Sequence, residues 1–203
     1  MQVIAQKVKN GQISIVIDPF DATVTGIRLS PMECDILAFT GRYNQGCLKP
    51  IKGNPFLINS PGEYEVKEIS IFGIPAVSEK SESEATIFVI EAEEIEICHL
   101  GQLTQKELTE DQVEKIGDID VLMVPVGGDN TLGAEEARKI ILQIEPKIVI
   151  PIYYRIPGLK IKLDSVDSFL KKMGAKVTER LDKLSLKRKD LTNEETKVIV
   201  LNP

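Results

Sequence analysis

The spacing of apolar residues changes midway along this chain, and that change limits the folds open to it. In the first half, short β-branched runs such as Val3–Val8 and Gln12–Ile17 flank Asn10-Gly11, a pair that is typical of hairpin turns. In the second half, from Val121 onwards, strands alternate with amphipathic helices. A β-rich half followed by strand–helix–strand units predicts an α/β or α+β fold, with two packed sheets and helices outside them.

Individual elements follow from their start and stop signals. Thr109 is predicted to cap a helix that Gly117 ends, because acidic residues follow the threonine and glycine readily closes a helix. The polar run Ser78–Glu84 is expected to be a solvated loop, and residues 1–203 are interpreted as one domain. The other predicted elements are strands at Cys34–Thr40, Asn54–Ile58, Glu63–Val66, Ile69–Ile74, Ala85–Ile90, Ile95–Leu100, Val121–Val126, Ile148–Tyr154, Leu184–Lys189 and Lys197–Leu201, and helices at Gly133–Ile144 and Ser165–Met173.

The composition argues against several classes of partner. With 31 acidic and 25 basic residues, the net charge is −6, which disfavours binding to nucleic acid or to an anionic membrane surface. The sequence shows neither a secretion signal nor an apolar stretch of about 18 residues. The cysteines, Cys34, Cys47 and Cys98, lack metal-site spacing. Reduced thiols and a cytoplasmic location are therefore expected, without disulfides or structural zinc.

Four segments resemble a small bacterial or archaeal branch of the metallo-β-lactamase-fold hydrolases. They are N-P-F-L-I-N-S-P-G-E-Y-E-V at 54–66, I-C-H-L-G-Q-L at 97–103, V-P-V-G-G at 124–128 and I-V-I-P-I-Y-Y-R-I-P-G-L-K at 148–160. The resemblance extends over nearly the whole chain and implies a four-layer αββα sandwich. It also implies a site where histidines and aspartates hold two metal ions and a nucleophilic hydroxide.

The residues expected to hold those metals are missing, since the chain contains 1 histidine. The resemblance places the family's H-x-H-x-D-H motif directly after the strand that ends at Thr40. Glycine has no ligand atom, glutamine is neutral, and tyrosine rarely coordinates unless it is deprotonated. Neither a resident metal nor another cofactor is therefore expected, although these positions should still converge on one pocket. The positions of the family's ligands are occupied by Gly41, Tyr43, Gln45, Gly46, Ser78, Gln102 and Tyr153.

Two further residues correspond to positions near the family's site. Asp18 matches an aspartate that supports a metal-binding histidine, and in this chain it is predicted to cap the turn before Pro19. His99 matches a position outside the metal shell and is interpreted as an ordinary histidine at the end of a strand.

A glycine-rich loop and several basic residues complete the predicted pocket. The loop precedes the helix that starts at Gly133 and is interpreted as a connector, with Gly127 and Gly128 at positive φ. Backbone amides before a helix can also hold an anion, so a small anionic ligand stays open as an alternative. The basic residues expected at the rim of the pocket are Arg42, Arg155 and Lys160.

The leading functional interpretation is a non-catalytic, metal-free homologue of these hydrolases. Such a pseudoenzyme would act as a binding or structural protein and form homo-oligomers through the edges of the hairpins at residues 3–17 and 63–74. Two alternatives stay open: a metal-dependent hydrolase with a non-standard site, and a small-anion-binding module.

Overall fold

The computed structural model describes residues 2–7, 11–77, 84–174, 179–191 and 195–202. The strands are β1 (Gln2–Lys7), β2 (Gly11–Ile17), β3 (Met32–Glu33), β4 (Ile36–Ala38), β5 (Ile51–Lys52), β6 (Phe56–Ile58), β7 (Gly62–Val66), β8 (Ile69–Val77), β9 (Glu84–Ala92), β10 (Ile95–His99), β11 (Val121–Pro125), β12 (Ile148–Ile152), β13 (Glu179–Leu181) and β14 (Lys197–Leu201). The helices are α1 (Ala22–Thr25), α2 (Gln45–Leu48), α3 (Glu110–Ile116), α4 (Ala134–Ile144) and α5 (Val166–Met173), with a 3₁₀ turn at Arg188–Asp190. Within the described ranges, no helix is long and apolar enough to cross a membrane.

The strands form two large sheets whose pairing follows the change in the sequence pattern. The smaller sheet has the order β1-β2-β4-β6, and the larger has the order β13-β14-β12-β11-β10-β9-β8-β7. Within the larger sheet, β7 to β10 pair antiparallel, whereas β10 to β12 and β14 pair parallel. Parallel neighbours need crossover connections. In chain order, α3 connects β10 to β11, and α4 connects β11 to β12.

The apolar residues form separate layers, as the αββα sandwich requires. One cluster fills the space between the two sheets, where Ile15 and Ile36 of the smaller sheet meet Ile71 and Phe88 of the larger one. A second cluster packs the other face of the larger sheet against α3, α4 and α5, where α4 contributes the four buried residues predicted for it: Ala137, Ile140, Ile141 and Ile144. The predicted fold class is confirmed.

Most predicted elements exist, but one strand does not. The first hairpin is confirmed by the pairing of Lys7 with Gly11, while its turn at residues 8–10 lies outside the described residues, as does most of the Ser78–Glu84 loop. The predicted strand at Leu184–Lys189 is wrong. Leu184 and Leu186 pack against the apolar cluster that includes Ile150 and Ile199, without pairing to a neighbouring strand. Their alternation therefore reflects burial on one side and not a sheet.

Candidate active site

The carboxylate of Asp18 is the centre of a hydrogen-bonded cluster that joins both sheets. Asp18 directly follows β2 and is 8% exposed. Its Oδ1 accepts the backbone N–H of Thr40 at 2.8 Å, and its Oδ2 accepts the Thr40 hydroxyl. The hydroxyl of Tyr153, which directly follows β12, donates to the same Oδ2 at 3.1 Å. The prediction that this carboxylate caps the turn before Pro19 is therefore wrong. The carboxylate instead links the smaller sheet to the larger one.

Gln102 closes the cluster from the end of β10. Its backbone N–H donates to the Thr40 hydroxyl at 3.1 Å, and its side-chain amide hydrogen-bonds the Tyr153 hydroxyl. Gly41 lies directly against the Gln102 side chain. Three of the predicted positions, Gly41, Gln102 and Tyr153, are thus brought together. Thr40 was missed as a site residue, because nothing local in the sequence sets it apart from other strand-end threonines.

Both residues that make the key contact have left-handed backbone, which is strained at Tyr153. Asp18 has φ 48° and Tyr153 has φ 50°, the left-handed region, which aspartate tolerates but a bulky tyrosine rarely adopts. Elsewhere this conformation falls at ordinary turns, as at Lys67 and Glu68 between β7 and β8, or at the helix C-cap Glu145. Strain of this kind persists only where the surrounding structure enforces it, and it is concentrated at functional sites.

Burial shifts the acid–base properties of both groups. Burial raises the pKa of the Asp18 carboxyl, and the hydrogen bonds from Thr40 and Tyr153 oppose that rise without cancelling it. Burial also raises the pKa of the Tyr153 hydroxyl well above its usual value, and the neighbouring Asp18 carboxylate adds to the effect. Asp18 is therefore a stronger base than an exposed aspartate, while Tyr153 keeps its proton.

Three of the remaining predicted positions, Tyr43, Gln45 and Gly46, lie in or just before α2. Tyr43 stacks on Phe39 with ring centroids 3.8 Å apart, and its hydroxyl accepts from the Asn59 amide at 3.4 Å. Gln45 is exposed, as is Arg42, while Gly46 packs against the carboxylate of Asp21. Ser78 lies outside the described residues.

The loop before α4 differs from its predicted form. Gly128 has φ 72°, as predicted, but the positive φ predicted for Gly127 is wrong. Glycine is needed at 127 because a side chain there would overlap the backbone carbonyl of Tyr153. The Gly128 N–H donates to the carbonyl of Leu132 at 2.9 Å, and the carboxylate of Asp164 lies beside Gly128. At Gly128, therefore, the backbone amide is already used and a carboxylate lies nearby, while the small anionic ligand expected from the sequence stays a prediction.

The basic residues expected at the rim are divided between two places. Arg155 is exposed, and its backbone N–H bonds the carbonyl of Asp164 beside the loop before α4. Lys160 instead packs over Gly26 after α1, where its N–H donates to the Thr25 carbonyl at 2.9 Å.

His99 is buried in the interior of the sandwich and not at its rim. It is 1% exposed and pairs with Phe88 of β9 and Met123 of β11, and burial lowers its pKa to about 3. Its Nδ1 is the buried side-chain polar atom without a hydrogen-bond partner in the described structure. The imidazole therefore stays neutral throughout the physiological range.

These donors do not fit the two-metal centre that the resemblance implies. Within the described ranges, no three His, Cys, Asp or Glu side chains group closely enough to hold a metal ion. Asp18 supplies a carboxylate, but its oxygens already accept three hydrogen bonds from Thr40 and Tyr153. A metal ion would have to use a different donor set from the one found in the family.

Comparisons with known proteins identify the chain's relatives. A profile of the β-lactamase superfamily domain matches residues 6–153, more than half of the chain. A UPF0173 metal-dependent hydrolase of Thermococcus onnurineus is 32% identical over 98 residues, 46% of this chain and 44% of that protein. One of Pyrococcus furiosus is 31% identical over the same length, with the same coverage. The match thus spans less than half the length of these curated relatives.

Solved structures extend the likeness to the full chain. A protein of Thermotoga maritima, proposed to be a Zn-dependent hydrolase of the metallo-β-lactamase superfamily, is 34% identical with a TM-score of 0.78, covering 99% of this chain and 98% of its own. A metallo hydrolase of Ignicoccus hospitalis shares the fold with a TM-score of 0.62 at 16% identity, covering 100% of this chain and 96% of its own.

The relatives overturn the leading functional interpretation. They are named metal-dependent hydrolases, so the expectation of a non-catalytic, metal-free pseudoenzyme is wrong, and the alternative of a hydrolase with a non-standard site agrees better. The physical reason for the error is that the missing histidines bear on one ligand set alone. The missing histidines say nothing about a buried carboxylate such as Asp18, which is not one of the family's metal ligands.

Proposed function

We propose that this chain, which belongs to the metallo-β-lactamase superfamily, is a hydrolase that works through a non-standard site centred on Asp18 and Tyr153. The observation that carries the proposal is the 3.1 Å hydrogen bond from the Tyr153 hydroxyl to the Asp18 carboxylate. It joins two residues with left-handed backbone, strained at Tyr153, at the carboxyl ends of β2 and β12. The names of the relatives support the reaction class.

The geometry favours a proton relay from water to the buried carboxylate. The Tyr153 hydroxyl is bonded directly to the Asp18 carboxylate at 3.1 Å, and Tyr153 is the less buried of the two residues, so the proposed route to the base runs through this hydroxyl. A water proton passes to the Tyr153 Oη as the tyrosine's own proton moves to Asp18 Oδ2. The resulting hydroxide forms the new bond to the electrophilic atom of the substrate. The leaving group departs with the electron pair of the broken bond and recovers the proton along the same route.

The other members of the cluster position this relay. Thr40 donates twice to Asp18 and fixes the carboxylate, so that Oδ2 faces the tyrosine. The Gln102 amide hydrogen-bonds the Tyr153 hydroxyl. Its second N–H is a candidate donor to negative charge that develops on the substrate.

A cytoplasmic location is part of the proposal. Cys34, Cys47 and Cys98 are free thiols in the structure, and free thiols persist in a reducing compartment.

The test is a hydrolysis screen with matched variants. Nitrophenyl esters, lactones, thioesters and phosphodiesters are offered to the wild type, both after dialysis against chelator and with zinc, manganese or iron added. At least one substrate should turn over, and Asp18→Asn should lower kcat/KM by about 100-fold or more. Tyr154→Phe is the control, because this neighbouring tyrosine donates to the Leu201 carbonyl at 2.7 Å, away from the cluster. Full activity in Asp18→Asn, or no turnover with any substrate and metal, would contradict the proposal.

A further inference from the structure

A cavity of about 430 Å³ lies beside α1 and α2 and is lined by none of the four residues of the Asp18 cluster. Its walls begin at Phe20, two residues after Asp18, and include Gly46, one residue before Cys47. The volume falls within the range of about 300–1,000 Å³ that is usual for small-molecule sites.

Two cations line this cavity, and neither makes a salt bridge within the described residues. These cations, Arg28 and Lys49, are both exposed. The chain as a whole is acidic, with 31 acidic and 25 basic residues. Two such cations around one cavity create a local positive field that attracts anions.

The single lining carboxylate is already engaged. Asp21 Oδ1 accepts the backbone N–H and the hydroxyl of Thr23, each at 2.8 Å. These hydrogen bonds lower the pKa of Asp21, so it stays charged, and Lys49 contributes to the same effect. Two cations and one carboxylate leave the cavity with a surplus of one positive charge.

The walls of the cavity are fixed and partly apolar. Gly46 packs so closely on the Asp21 carboxylate that any side chain at this position would collide with it. The Asn44 side chain also accepts the Gly46 N–H at 2.6 Å, which fixes the start of α2. The apolar part of the lining comes from Phe20, Leu29, Pro31 and Pro50.

We propose that this cavity binds a small molecule with one oxyanion group and an apolar body. The oxyanion, a carboxylate or a phosphate, is held by the Arg28 guanidinium and the Lys49 ammonium. The apolar body packs against Phe20 and Leu29. This goes beyond the proposed hydrolase, because binding here requires no turnover.

The probes for the test are benzoate, phenyl phosphate and benzyl alcohol, titrated into the full chain and followed by NMR. At least one anion should bind more tightly than the neutral alcohol, and the tighter anion identifies the head group. Arg28→Gln should weaken that binding by about tenfold or more, since a charge-assisted hydrogen bond contributes about 1.5–3 kcal/mol. Lys49→Gln should weaken it to a smaller extent.

The matched control is Lys52→Gln, which removes the same charge three positions from Lys49 but outside the cavity. Its affinity should equal that of the wild type. Arg28 is exposed, so its replacement should leave the fold intact, and urea unfolding of each variant checks this. Equal affinity in Arg28→Gln and the wild type, an equal loss in Lys52→Gln, or no anion binding at all would overturn the proposal. These experiments measure anion affinity and not turnover. Failure of the hydrolysis screen would therefore not affect the test of anion binding.

Discussion

Two buried carboxylates lie at opposite ends of the parallel strands, and their surroundings differ. Asp120, which is 4% exposed, precedes β11 and accepts from Lys147 Nζ at 2.7 Å and from the Arg188 guanidinium at 2.6 Å. Asp18, which is 8% exposed, follows β2 and accepts from the neutral donors of Thr40 and Tyr153. Cationic side chains thus neutralise the buried carboxylate of Asp120, whereas the donors to Asp18 are uncharged.

The two environments shift the carboxyl groups in opposite directions. Burial raises the pKa of Asp120, but the hydrogen bonds from Lys147 and from the Glu96 backbone N–H, together with the charges of Lys147 and Arg188, outweigh it, so the net pKa is lowered. For Asp18, burial is the larger effect and the net pKa is raised. Asp120 therefore behaves as a structural ion pair, whereas Asp18 has the property that a proton acceptor needs.

Close backbone packing holds the Asp18 end in place, and breaking it should have the largest effect. An added methyl at Gly101, where φ is 54°, would overlap the Thr40 side chain, and one at Gly127 would overlap the Tyr153 carbonyl. Gly101→Ala and Gly127→Ala should each lower the free energy of unfolding by about 2–4 kcal/mol. Gly41→Ala is the control, because a methyl there meets the Gln102 side chain at 3.8 Å, an ordinary contact. Urea denaturation measures all three, and equal losses would refute the packing argument.

Replacing each carboxylate by its amide should give opposite pH dependences. Asp120 has a lowered pKa, so its stabilisation is present above the unfolded value of 3.8 and is lost as the pH falls. Asp120→Asn should therefore cost about 2–3 kcal/mol near pH 7 and less near pH 4.

Asp18 has a raised pKa, so its contribution is complete below 3.8 and is lost as the pH rises through the folded pKa. Asp18→Asn should cost about 1–2 kcal/mol near pH 4 and less near pH 7. Unfolding curves across this pH range decide the matter, and slopes of the same sign would remove the contrast between the two ends.

Removing one hydroxyl should give the smallest change in stability. Tyr153→Phe deletes a donor to Asp18 and should cost about 1 kcal/mol, while raising the pKa of Asp18 further, because that donor favours the charged form. Tyr154→Phe deletes a comparable hydrogen bond to Leu201 and should leave the pKa of Asp18 unchanged. A shift of that pKa in both variants would show that the effect is not specific to the cluster.

The sequence predicted best what depends on near neighbours. Thr109 caps α3 through a reciprocal bond with Gln112, three residues away, and both residues are visible in one helical turn of sequence. The hairpin of β1 and β2 and the apolar face of α4 have the same local origin. The strand predicted at Leu184–Lys189 failed because periodicity records which side is buried, not whether a partner strand is present.

The candidate site could not be found in this way, because its contacts are long-range. The bond from Tyr153 to Asp18 spans 135 residues, and that from Gln102 to Thr40 spans 62. The family resemblance brought Gly41, Gln102 and Tyr153 to one place, but it assigned them as lost metal ligands. The role of Asp18 depended on which donors surround it, and no spacing in the chain encodes that.

The most direct test of this account is a carboxyl ¹³C NMR titration of the wild type, with Asp18→Asn and Asp120→Asn used to assign the two resonances. Both carboxylates are then observed in one sample, under the same salt and temperature. The account predicts that Asp18 titrates above the usual aspartate value of 3.8 and Asp120 below it. Asp18 titrating at or below 3.8 would contradict the claim that its end of the molecule holds an uncompensated base.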